Sequence, residues 1–114
     1  MIPDLPANID TIKGFLADDE AQALYSHALQ ASRTGPVLEI GSYCGRSTIY
    51  LGLACRRNGG TLFALDHHRG SEEHQPGEMF HDPALYDTGE AIMDSFREFR
   101  RNIRMAGLED TVVP

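Results

Sequence analysis

The apolar positions of this chain change rhythm several times, and each change marks an element. Ala21, Leu24, Tyr25, Ala28 and Leu29 recur at spacings of three and four, forming one face of a helix. Asp18, Asp19 and Glu20 put negative charge at its start, and Gly35-Pro36 stops it. Residues 37–40 are then apolar except for Glu39, the pattern of a parallel strand covered on both faces. Residues 46–57 predict a helix that is apolar almost all round through Ile49, Tyr50, Leu51, Leu53 and Ala54, with Arg56-Arg57 and Gly59-Gly60 closing it. A second strand follows over residues 61–65.

Residues 67–88 turn polar and irregular, broken by Gly70, Pro76, Gly77 and Pro83. A loop of this length tends to be functional or disordered. Ile92, Phe96, Phe99 and Ile103 then predict a third helix closed by Gly107, and Thr111-Val112-Val113 begins a third strand. No internal repeat or low-complexity segment interrupts the series.

The strand, glycine turn, helix and second strand between residues 37 and 66 outline a nucleotide-binding βαβ unit. Gly41 and Gly45 let the backbone turn sharply and approach a ligand, and the next helix points free N–H groups at it. Asp66, at the end of the second strand, can accept both hydroxyls of a ribose. A dinucleotide fold would place a glycine in the middle of the turn to admit a pyrophosphate. Here Gly41-Ser42-Tyr43-Cys44-Gly45 places a bulky tyrosine there.

Leu-Glu-Ile-Gly-Ser-Tyr-Cys-Gly-Arg-Ser, residues 38–47, resembles motif I of the class I S-adenosylmethionine-dependent methyltransferases. It looks most like the small-molecule O-methyltransferases related to catechol O-methyltransferase. Ile12-Lys13-Gly14-Phe15-Leu16 with the acidic helix start is similar to the lead-in helix of that group. The resemblance implies that Gly41, Ser42, Tyr43, Cys44 and Gly45 wrap the methionine part of S-adenosylmethionine and that Ser47 helps hold its carboxylate. It further implies that Glu39 fixes the loop or meets the ammonium group, Asp66 binds the ribose and His67 lies beside the adenine. No residue is identified as the catalytic base, with His67 and His68 only distant candidates.

The implied fold is α/β: a Rossmann-like parallel sheet with flanking helices, holding only the first three strands of a seven-stranded order 3-2-1-4-5-7-6. Residues 9–34 are then lead-in helices, 37–66 the cofactor-binding βαβ unit, 67–88 a polar loop and 89–114 a helix and third strand. The first strand is left as an open edge, so the chain is expected to be the N-terminal part of a truncated methyltransferase domain. Alternatively, a second copy covers that edge in a homodimer.

Composition narrows the partners. A formal net charge of −7 disfavours nucleic acid and anionic membranes. The sequence has neither a run of about twenty apolar residues for a membrane span nor a signal-peptide start, which gives a cytoplasmic expectation. Cys44 and Cys55, roughly 15 Å apart along a helix, read as packed residues rather than a disulfide. His67, His68, His74 and His81 match no zinc spacing, so no metal ligand is assigned. Arg97, Arg101 and Arg104 share one helix face with Arg100 nearby and read as solvated surface. The expected activity is methyl transfer from S-adenosylmethionine to a small-molecule acceptor, at oxygen. The rivals are an NAD-dependent Rossmann protein and a cofactor-binding or oligomerisation module without catalysis.

Overall fold

The computed structural model describes residues 2–114. Helix α1 (Asp18–Ala31) leads through a turn into β1 (Val37–Ile40), α2 (Arg46–Arg57) and β2 (Leu62–Leu65). A short antiparallel pair follows, β3 (Tyr86–Asp87) with β4 (Ile92–Met93), then α3 (Phe96–Met105) and β5 (Val112–Val113). The main sheet is parallel, in the order β1-β2-β5. The first strand therefore lies at one edge and the last at the other, as the first three strands of the expected order require.

Local chemistry explains the boundaries. Ala17 has no side-chain oxygen to cap α1, so the Glu20 carboxylate reaches back to accept the Ala17 N–H at 3.2 Å. This is half of a capping box. In α2 the arginines at the last turn complement the helix dipole, and Gly59 leaves in the left-handed region at φ +64.

Three expectations need correction. The first is that the third helix starts at Phe96, not at Ile92. Ile92 belongs to β4, and the Asp94 carboxylate accepts the Phe96 N–H at 2.9 Å, satisfying one of the free donors of the helix start. The spacing of four between Ile92 and Phe96 is thus not helical. The second is that residues 12–16 are not a lead-in helix. A single 3-10 turn, Ile9–Thr11, precedes an irregular strap.

The third concerns the sheet, whose strands are not covered on both faces. Register aligns Val37, Leu62 and Val112 in one row and Leu38, Phe63 and Val113 in the next. Leu62, Ala64 and Val112 are buried beneath the helices. On the opposite face Leu38, Ile40, Phe63, Leu65 and Val113 are all exposed, Ile40 by 76%. The continuous apolar runs of the sequence fit a two-sided sheet, but the helices of this chain gather on one side. Among the described residues no helix is long and apolar enough to cross a membrane.

Helix α2 is the central element of the covered side. It packs against α1, β2 and α3, and residues 48–55 are all buried. Gly52 permits this approach, since a methyl group there would lie 2.9 Å from Leu108 Cδ1 and 3.2 Å from Val112 Cγ2. Leu108 is fully buried and has little room to yield. Overpacking costs about 1–3 kcal/mol, against roughly 1 kcal/mol of helix propensity gained. Gly52→Ala is therefore expected to lower the urea-unfolding free energy by about 1 kcal/mol, whereas an exposed helix glycine would be stabilised by the same change.

Candidate functional site

The glycine turn between β1 and α2 holds three residues in the left-handed region, Gly41 (φ +90), Tyr43 (φ +50) and Gly45 (φ +92). For Gly45 the requirement is also spatial, because a Cβ there would come 3.2 Å from the Phe99 ring. At Gly41 nothing lies within 4 Å of where a Cβ would be, so its place is set by backbone conformation alone. The Gly41 N–H donates to Leu65 O at 2.8 Å and the Gly45 N–H to Ser42 O at 2.9 Å.

Three side chains from different elements pin this turn. Asp66, at the end of β2, accepts the Tyr43 N–H on Oδ2 at 2.7 Å and the His68 N–H on Oδ1 at 2.9 Å. Asn102 on α3 donates from Nδ2 to Cys44 O at 2.9 Å. Glu39 on β1 accepts from Ser47 Oγ at 2.5 Å and from Thr48 Oγ1, holding the first turn of α2 from beneath.

The two carboxylates are driven in opposite directions. Burial raises the pKa of Glu39 above its usual value, and the Ser47 and Thr48 hydroxyls only partly offset it. Burial also acts to raise Asp66, but the His68 and Tyr43 N–H groups outweigh it and hold the carboxyl below 3.8. Asp66 is therefore a firm anion at neutral pH, facing the turn.

A cavity of about 560 Å³ opens beside the turn. Gly41, Ser42 and Ser47 line it together with Phe15, Tyr43 and Phe80. Ser42 is 2% exposed and its Oγ has no partner at hydrogen-bonding geometry, although it lies near enough to Glu39 to favour that carboxylate's charge.

The residues expected at the site divide accordingly. Gly41, Ser42, Tyr43, Gly45, Ser47, Glu39 and Asp66 converge on the turn. The Cys44 side chain does not reach the cavity. It is fully buried, its thiol pushed up to about 12 chiefly by that burial, and its carbonyl is taken by Asn102. Cys44 thus has only backbone to offer a ligand. Ser47 already donates its hydroxyl to Glu39, which leaves its backbone N–H as the group for an anion. The His67 side chain is 70% exposed and its Nδ1 accepts the Arg69 N–H.

His68, a distant candidate for the base, is structural. It is 5% exposed, its Nδ1 lies 2.8 Å from Ser95 Oγ, and its ring sits about 5 Å from those of Phe96 and Phe99. Among the described residues, no group of three His, Cys, Asp or Glu side chains converges as metal ligands would. His74 instead stacks on Tyr43, at 5.4 Å between ring centres and 15° between planes.

Sequence reasoning missed Phe15, His74, Phe80, Asn102 and Thr48. Thr48 was legible as the neighbour of Ser47 in the first helical turn. The others come from segments distant in sequence and carry no local signal.

With this geometry in view, the comparisons place the chain. Its fold matches a solved structure from Klebsiella pneumoniae, described as a candidate O-methyltransferase, with a TM-score of 0.58 and 18% sequence identity. The match covers 96% of this chain and 42% of that one, so the chain spans less than half the length of this neighbour. Residues 38–113 match the family model described as a methyltransferase domain. The chain belongs to that family, of the class I S-adenosylmethionine-dependent type.

Burial lowers the pKa of His68 below 6.5, with Asp66 and Asp94 opposing the shift. The unfolded chain binds this proton near pH 6.5 and the folded chain only at lower pH, so unfolding takes up a proton in the window below 6.5. This contribution to stability is fully present above pH 6.5 and declines as the pH falls through that window. Urea unfolding at about pH 7.5 and 5.5 is expected to show a smaller pH-dependent loss for His68→Gln than for the wild type. Equal losses would remove His68 from the account.

Proposed function

We propose that the domain binds S-adenosylmethionine at the glycine turn and serves methyl transfer to a small-molecule acceptor, at oxygen. The observation that carries this reading is a glycine turn bent at Gly41, Tyr43 and Gly45 whose residues Gly41, Ser42, Tyr43 and Ser47 line a cavity, with the Asp66 carboxylate braced against it. The chemistry of the donor set fits the cofactor. Its amino-acid end would meet the Ser42 hydroxyl and the N–H groups at the start of α2, and neither needs a phosphate as partner. Asp66 stands ready for a ribose, since each of its oxygens has accepted one N–H and keeps a lone pair.

Bound S-adenosylmethionine would supply an electrophilic methyl group, the acceptor oxygen forming an O–C bond as the C–S bond breaks, with the neutral thioether leaving and the acceptor's proton passing to water. The residues here act by alignment, holding the turn rigid through Asp66, Asn102 and Glu39. The choice of oxygen rests on the description of the Klebsiella pneumoniae neighbour and on the resemblance of residues 38–47. The Tyr43 ring on the cavity wall argues against a dinucleotide, whose pyrophosphate needs the backbone bare at the centre of the turn.

Calorimetric titration with S-adenosylhomocysteine tests the reading, with Ser42→Ala in parallel. The Ser42 hydroxyl lies beside Glu39, so a melting curve checks that the variant stays folded. A hydrogen bond to a charged group contributes about 1.5 kcal/mol or more, so the same variant should bind roughly tenfold more weakly. Displacement of the bound ligand by micromolar NAD, or an absence of binding by a folded chain, would overturn the proposal.

A further inference from the structure

Helix α3 arranges its charges against the ordinary rules for a helix. Four of the chain's ten lysines and arginines, Arg97, Arg100, Arg101 and Arg104, stand on this one element, with Glu98 the single acid among them. The helix therefore carries a net charge of +3 in a chain of −7, and all other residues together carry −10. A face that merely meets solvent interleaves opposite charges at spacings of three and four. Here Arg97 with Arg101, and Arg100 with Arg104, set like charges at a spacing of four, which destabilises a helix. Arg97 also occupies the first turn, where the helix dipole disfavours a cation. A local rule broken this consistently points to a function for the stripe.

The four arginines and Phe96 line a groove of about 440 Å³ that shares no residue with the cavity at the glycine turn. The acids beside it are already engaged. Asp94 faces Arg69 at 3.8 Å, Glu109 faces Arg104 at 3.5 Å and Glu98 faces Arg101 at 3.2 Å. Among the described residues Arg97 and Arg100 make no ion pair. Arg100 is nevertheless positioned, its guanidinium 5.7 Å from the centre of the Phe96 ring, and Phe96 packs in turn on Phe99 and His68.

We propose that this arginine groove binds a compact polyanion of the diphosphate class. Guanidinium forks match phosphate oxygens in pairs, and ion pairs as exposed as those of Arg101 and Arg104 are weak enough for a stronger anion to displace. At 1.5 Å of rise per residue, Arg97 and Arg104 lie roughly 10 Å apart along the axis, a row that suits two adjacent phosphates better than one. The surrounding charge selects for small size. Charges are screened over about 8 Å at physiological salt, so a ligand confined to the groove senses chiefly the arginines. An extended polyanion such as RNA or a membrane surface would also lie against the acidic remainder of the chain.

Calorimetric titration of pyrophosphate into the chain at about 0.15 M salt tests the proposal. The variants are Arg97→Gln/Arg100→Gln and, as a control for general charge, Arg33→Gln. All three positions are exposed, and circular dichroism checks that the fold is kept. The wild type is expected to bind one pyrophosphate, the double variant at least about tenfold more weakly, and the control within about twofold of the wild type. Pyrophosphate should also raise the melting temperature of the wild type and the control but not of the double variant. ADP in parallel separates a free diphosphate from one carried on a nucleoside, which would bind more tightly with the same dependence on the two arginines. No saturable binding by the folded wild type, or an equal loss in the control, overturns the proposal. So does tighter, equally arginine-dependent binding of an oligouridylate or an acidic peptide, which would make the groove a macromolecular interface.

Discussion

Everything at the site depends on where the Asp66 carboxylate is aimed. It leaves the end of β2, yet both its oxygens accept backbone N–H groups, one from Tyr43 in the preceding turn and one from His68 just beyond. One side chain therefore fixes the spacing between the two strand ends and the conformation of two residues at positive φ, Tyr43 and His68. A non-glycine residue holds such a conformation only where its surroundings over-determine it. The glycine turn is a rigid cradle because a neighbouring strand supplies its donors with an acceptor.

This dependence also explains why the helices lie as they do. His68, its N–H held by Asp66, packs against Phe96 and Phe99 and bonds Ser95, which sets the start of α3. α3 in turn returns Asn102 to the glycine turn. The site and the covered side of the sheet are thus one closed circuit of polar contacts around an apolar α2. The opposite side has no such circuit, and its row of Leu38, Ile40, Phe63, Leu65 and Val113 is left to the solvent.

The sequence was informative where chemistry and periodicity are local. α2, both long strands, the two turn glycines and the carboxylates at 39 and 66 were legible, because each is a short-range pattern with a conformational reason. The start of α3 was not, since one apolar residue of β4 fell by chance at helical spacing from Phe96. Nor was the one-sided sheet, because an apolar run records what a strand is suited to bury and not which neighbours are present. Cys44 was legible as a packed residue, and it is fully buried. Phe15 and Phe80 meet across 65 residues of chain, and only the tertiary fold brings them together.

What the site leaves unsatisfied is as informative as what it satisfies. Glu39 is committed to Ser47 and Thr48, Asp66 to two N–H groups, and the Cys44 carbonyl to Asn102. Those contacts are all within the protein itself, so their desolvation and ordering costs belong to folding. Left over are the second lone pairs of Asp66 and the exposed rings of Phe15 and Phe80. A ligand entering this cavity would meet Gly41, Ser42 and Ser47 of a braced turn together with the exposed Phe15 and Phe80 rings. It would gain affinity from contacts that require little rearrangement of the protein.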